Sequence, residues 1–82
     1  MEEESMDQRA LTYGEMAVGL TFNPSNDPTV QKVKELYAEI IDICNEERTK
    51  AGQGEKGRLL SVAITEAQTA QMWAVKGITY KF

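Results

Sequence analysis

The sequence predicts an all-α protein: a short N-terminal helical arm, residues 1–21, plus an antiparallel helix hairpin, residues 22–82, assembling into a compact homo-oligomer. Two long segments with apolar residues at three- and four-residue steps, separated by a short glycine-containing turn, predict the hairpin. The length predicts the oligomer, because so small a domain buries only about 60% of the surface that its unfolded chain exposes. With one cysteine and no histidine, neither an internal disulfide nor a structural zinc site can compensate.

The arm contains a weakly helical stretch over residues 8–20. Gly14 and Gly19 weaken it, each by up to about 1 kcal/mol relative to alanine. We therefore expect a short helix or an irregular segment before the hairpin.

The first long helix is predicted over residues 28–50. Asp27 can accept hydrogen bonds from free amides at the start of a helix, and Pro28 fits the first turn, where no amide is needed. Gly52 and Gly54 end the helix. Its predicted apolar face consists of Val30, Val33, Tyr37, Ile40, Ile41 and Cys44, with Lys34 at its edge.

The second long helix is predicted over residues 55–79 and carries two adjoining apolar stripes. One stripe contains Leu59, Ala63, Ala70 and Trp73, and the other contains Leu60, Ile64, Ala67, Ala74 and Ile78. Together they are too wide for one partner helix. We expect one stripe to face the first helix and the other to face another subunit.

Charge and composition exclude several classes of function. The net charge of −4 argues against DNA as a partner, since DNA binding needs a basic face. The absence of histidine excludes a Ser-His-Asp triad and a histidine-bound metal within the chain, so we predict no catalytic residue, no metal and no cofactor. There is no apolar run of about 20 residues, and the N-terminus is acidic, which predicts a cytoplasmic protein that does not bind membranes.

The second helix carries Thr65, Gln68, Met72, Lys76 and Ile78 at successive intervals of three, four, four and two residues. This pattern resembles the second hairpin helix of phage anti-CBASS cyclic-oligonucleotide sponges and of the related anti-Thoeris sponges. The segment from Phe22 to Lys34 also resembles that family, because an aromatic residue precedes a capped helix that contains a basic residue. The likeness covers about residues 20–79.

The resemblance implies a compact homohexamer that holds cyclic dinucleotides between protomers, without cleaving them, in the cytoplasm of a phage-infected host. Cyclic trinucleotides at separate sites, or cyclic ADP-ribose isomers, are further ligands that it implies. The sequence departs from the family pattern in two respects. The interval from the aromatic residue to the basic residue of the helix is shorter here by about one helical turn, and the arm contains a second aromatic residue, Tyr13. Either Phe22 or Tyr13 is therefore expected to stack on the nucleobase, and the alternative for each ring is that it holds the arm against the hairpin.

The predicted ligand-binding residues have roles that follow from their chemistry. Lys34 is predicted to pair with a phosphate of the ligand, and the alternative is a solvated surface lysine. Lys76 is also predicted to bind the ligand, and the alternative is a cation that a helix C-terminus favours. Thr65 and Gln68 are candidates for hydrogen bonds to a base edge or, alternatively, across a helix–helix interface. Arg9 and Arg58 are candidates for contact with a base or a phosphate. Trp73 is expected in the core or in an interface.

Two rival functions stay open at this stage. The chain could be a structural or adaptor protein whose exposed stripe packs on another protein. A weaker alternative is a hydrolase that uses carboxylates such as Glu66.

Overall fold

The computed structural model describes residues 10–81, and this part of the chain contains three α-helices and no β-strand. Helix α1 is Tyr13–Ala17, α2 is Pro28–Ala51 and α3 is Glu55–Ile78. The predicted helical hairpin is therefore confirmed, with each long helix within one residue of its expected bounds. The first residues of the predicted arm lie outside the described range.

Helix α1 begins with a reciprocal pair of hydrogen bonds. The Thr12 hydroxyl accepts from the Glu15 amide at 3.1 Å, and the Glu15 carboxylate accepts from the Thr12 amide at 3.0 Å. This capping box satisfies two of the free amides at the start of the helix. It explains how a five-residue helix forms in a stretch that contains two glycines.

Gly14 lets α1 approach α2 closely. Its backbone amide donates to the Asp42 carboxylate at 2.7 Å, and a Cβ at this position would overlap the backbone carbonyl of Ala38. The sequence indicated only that Gly14 weakens the arm helix. In the structure it is also the point at which the arm docks on the hairpin.

Local chemistry sets both ends of α2 as predicted. The Asp27 side chain accepts from the Thr29 amide at 2.8 Å, and Pro28 occupies the first turn. At the other end Gly52 has a φ of 71°, which glycine adopts without strain, and its amide donates to the Arg48 carbonyl. The chain then reverses into α3.

The core lies where the three helices meet. Its buried members are Val18, Ala38, Ile41 and Ile64, and Ala17, Leu20, Tyr37, Cys44 and Ala67 pack around them. Ile64 and Ala67 belong to one predicted stripe of α3, so this stripe faces the hairpin partner as expected. Ile40 was assigned to the apolar face of α2, and this assignment is wrong: its side chain is 49% exposed. It lies on the side of α2 that neither α1 nor α3 covers.

The second stripe of α3 has no partner among the described residues. Leu59 is 53% exposed and Trp73 is 67% exposed, so Trp73 is not part of the core of this chain. Val62 and Met72 are exposed on the same helix. None of the helices within residues 10–81 is long and apolar enough to cross a membrane.

Candidate functional site

A cleft lies at the open end of the hairpin, where the loop after α1 folds back over the start of α2. Its volume is about 210 Å³. Residues from three parts of the chain line it: the loop residues Phe22, Asn23, Pro24 and Ser25, Val30 and Lys34 of α2, and Val75 and Thr79 at the end of α3. The surface is mostly apolar, with one ammonium group.

The Lys34 ammonium ties the loop to α2. It donates to the Gly19 carbonyl at 3.0 Å and also to the Phe22 carbonyl. Lys34 is only 5% exposed, so the solvated surface lysine considered from the sequence is excluded. Burial removes water from the charged form and lowers the pKa of Lys34. Because an ammonium has three donors, one N–H remains after these two bonds.

Phe22 lies above this lysine with most of its ring accessible. The Lys34 nitrogen is 5.7 Å from the ring centroid, within the range of a cation–π contact. The residue is 71% exposed. Lys34 therefore holds Phe22 through its carbonyl and its ring, and leaves aromatic surface free at the mouth of the cleft.

Tyr13, the other predicted stacking residue, lies against a different cation. The Arg48 guanidinium is 5.5 Å from its ring centroid and donates to the Ser61 hydroxyl at 3.1 Å and to Asn45 at 2.7 Å. Sequence reasoning missed Arg48. Its spacing was the available signal, because it follows Ile41 and Cys44 by seven and four residues on the core side of α2.

The two aromatic residues belong to different ends of the hairpin. Their cation partners, Lys34 and Arg48, are separated by fourteen positions of one helix, which corresponds to about 21 Å along its axis. Phe22 lies at the open end and Tyr13 lies towards the turn. One base cannot contact both rings of the same chain.

The remaining predicted site residues are distributed along the chain. Lys76 is exposed and directly follows Val75 of the cleft. Thr65 is exposed and Gln68 is half-buried, both further along α3 towards the turn. Arg9 lies outside the described residues. Of the described residues in this group, only Lys76 is next to a residue of the cleft.

Arg58 lies near the turn and is already paired. Its guanidinium bonds the Glu55 carboxylate at 2.6 and 2.9 Å. This contact raises the pKa of Arg58 and lowers that of Glu55. Both side chains are exposed, so the pair is a weak surface ion pair that water screens.

A wider groove lies on the other side of the same loop, with a volume of about 580 Å³. It is lined by Leu20, Thr21, Asn23, Asn26, Asp27, Pro28, Gln31, Lys32 and Glu35. Asp27 and Glu35 place two carboxylates against one lysine, and this disfavours an anionic ligand. The cleft beside Phe22 is therefore the better candidate for a phosphate-containing molecule. In the described part of the chain, no group of three or more acidic, cysteine or histidine side chains is arranged to hold a metal ion.

The fold and cleft define a small helical binding module, in which an arm closes the open end of a helix hairpin over an aromatic side chain and a lysine. The family model described as "Acb2/Tad1, hairpin domain" matches residues 14–79, and the chain therefore belongs to this family of anti-CBASS and anti-Thoeris sponges. The family consists of binding proteins for cyclic oligonucleotides, and the resemblance seen in the sequence is confirmed. Searches among curated proteins and solved structures give no match.

Proposed function

We propose that this protein sequesters cyclic dinucleotide immune signals without cleaving them, in pockets between the protomers of a homo-oligomer that is a hexamer. Membership of the sponge family supports the ligand class. The cleft that joins an exposed aromatic ring, apolar walls and a buried ammonium is the observation that carries the proposal. The protein acts in the cytoplasm of the host, where such signals reach their effectors.

The cleft offers two kinds of contact to a nucleotide. A base stacks on the exposed ring of Phe22, against the apolar side chains of Val30 and Val75. Stacking of this kind contributes about 1–3 kcal/mol per base in complexes with single-stranded nucleic acids. Lys34 keeps the ring in position and supplies a positive charge close to the bound phosphate.

The size of the cleft favours a pocket completed by a second protomer. Pockets for small molecules usually have volumes of about 300–1,000 Å³. This cleft has about 210 Å³ and is open to solvent. The exposed stripe of α3, which includes Trp73, approaches the cleft along the same helix and is the surface that we assign to contact with another copy.

Titration calorimetry against cyclic dinucleotides, cyclic trinucleotides and cyclic ADP-ribose isomers tests the function. We expect at least one cyclic dinucleotide to bind and to be recovered intact after the protein is denatured. Absence of binding to every member of the panel would refute the proposal. A cleaved ligand would instead identify a hydrolase.

Variants at the two aromatic positions test the site. Phe22→Leu keeps an apolar side chain but removes the stacking surface, so affinity should fall about 5- to 150-fold, which corresponds to about 1–3 kcal/mol. Tyr13→Leu is the matched control and should bind as the parent does, because Tyr13 lies near the turn against Arg48. The reverse result would move the stacking site to Tyr13.

Variants at the two lysines separate charge from structure. Lys34→Met should weaken binding and also lower the melting temperature, because the Phe22 carbonyl loses the ammonium donor and the Gly19 carbonyl keeps only the Phe22 amide. Lys76→Ala should leave the melting temperature unchanged, since this side chain is exposed, and any loss of affinity then reports a phosphate contact. If Lys34→Met binds ligand as tightly as the parent, the assignment of Lys34 to the bound phosphate is wrong.

A protein adaptor is the second candidate function, because the exposed stripe of α3 is also suited to pack against a different protein. Light scattering distinguishes the two at micromolar concentration. A mass of one folded chain, together with a stoichiometric protein partner and no bound nucleotide, would favour the adaptor.

A further inference from the structure

A second exposed apolar surface lies on α2, away from the stripe on α3. Its members are Leu36, Ile40 and Ile43, which are 48%, 49% and 61% exposed. Their four- and three-residue spacing places them on one side of the helix. We refer to these three residues as the α2 face, and no described element of the chain packs over it.

Charged residues follow one edge of the α2 face at steps of seven residues. Lys32 stands near the start of the helix, Glu39 in the middle and Glu46 near the end, and all three are exposed. Seven residues correspond to almost two helical turns, so the three side chains form a single row. From Lys32 to Glu46 the row changes from positive to negative, and Lys50, which follows it, is paired with Glu47 at 3.4 Å.

This charge pattern selects a partner and an orientation. We propose that the α2 face packs against the α2 face of a second copy of this chain, antiparallel about a two-fold axis close to Ile40. Leu36 then meets Ile43 of the second copy, and Ile40 meets its own counterpart. An antiparallel pair also places Lys32 beside Glu46 of the second copy, and the two-fold axis creates this contact twice.

The parallel alternative is electrostatically worse. In a parallel pair the two-fold axis runs along the helices and places the two rows on opposite sides of the contact, so Lys32 and Glu46 gain no opposite charge from each other. In the antiparallel arrangement only Glu39 meets Glu39 of the second copy, near the axis. Like charges that face each other across two helices destabilise the pair, whereas opposite charges specify its orientation.

The proposed contact goes beyond the ligand pocket and is separate from the α3 stripe. A two-fold contact joins chains in pairs, so an assembly in which every α2 face is covered contains an even number of subunits. The α3 stripe then has to join these pairs. Two distinct contacts per chain can produce a closed assembly, whereas one two-fold contact stops at a dimer.

Disulfide trapping tests the geometry directly. In a Cys44→Ser background, Ile40→Cys should give a disulfide-linked dimer under mild oxidation, because residues beside the two-fold axis bring their Cα atoms within about 7 Å. Glu35→Cys in the same background is the matched control, since this exposed residue of α2 lies off the α2 face and should remain monomeric on a non-reducing gel. Equal cross-linking at both positions, or none at residue 40, would overturn the proposal.

Charge reversal tests the orientation in solution. Lys32→Glu and Glu46→Lys should each raise the dissociation constant of the pair roughly tenfold, because two attractive contacts become repulsive. The double variant should restore association, and Glu39→Gln should strengthen it by removing the repulsion at the axis. Sedimentation at several protein concentrations measures these changes, with circular dichroism to verify that each variant is folded. If the double variant associates no better than the single variants, the antiparallel register is wrong.

Discussion

Replacing Gly14 by alanine should destabilise the protein, although the same change stabilises most helices. In an ordinary helix interior Gly→Ala contributes about 0.5–1 kcal/mol of stability. At Gly14 the new Cβ would overlap the Ala38 carbonyl oxygen and lie 3.0 Å from the Asp42 carboxylate. The nearest group is backbone in the middle of α2, so α1 has to move instead.

The size of the effect follows from what this movement breaks. Overpacking of a closely packed contact costs about 1–3 kcal/mol. Displacement of α1 also breaks the bond from the Gly14 amide to the Asp42 carboxylate, and hydrogen bonds to charged groups contribute about 1.5–3 kcal/mol. After the helix propensity of alanine is subtracted, we expect a net loss of about 2–4 kcal/mol.

Urea denaturation followed by circular dichroism measures this loss, with all variants at one protein concentration because association contributes to the apparent stability. Gly77→Ala is the matched control. Gly77 is also helical, and a Cβ there would meet nothing within 4 Å, so this variant should gain up to about 1 kcal/mol. If Gly14→Ala is as stable as the parent, the close approach of α1 and α2 is refuted.

Three further variants have expected outcomes. Asp27→Ala removes the cap on the Thr29 amide and should lower the free energy of unfolding by about 1 kcal/mol in the same urea assay; an unchanged midpoint would contradict this cap. Trp73→Ala leaves no cavity within one chain because Trp73 is 67% exposed, so the assembly mass should fall in native mass spectrometry while helix content stays constant. A constant mass would place Trp73 outside the subunit contact. Arg48→Ala removes the contacts to Ser61 and Tyr13 and should lower the melting temperature without changing ligand affinity; weaker binding would assign Tyr13 to the ligand site.

The sequence alone determined the elements of this protein. An aspartate and a proline at the start of α2, and glycines between α2 and α3, act on the backbone within a few residues of themselves, and the predicted helix ends agree with the structure within one residue. The two stripes of α3 were also readable from spacing, as was the surplus of apolar surface on that helix. The family resemblance came from residue types at fixed intervals along one helix, which the sequence displays directly.

Only the tertiary structure decided which of these residues are covered. Lys34 follows the start of α2 by six residues and looks like a surface lysine, but the loop after α1 folds over it and supplies two carbonyls from distant positions. Ile40 fits the core spacing of α2, and yet the placement of α1 and α3 leaves it outside with Leu36 and Ile43. Spacing fixes the direction in which a side chain leaves its helix, whereas burial depends on where the rest of the chain packs.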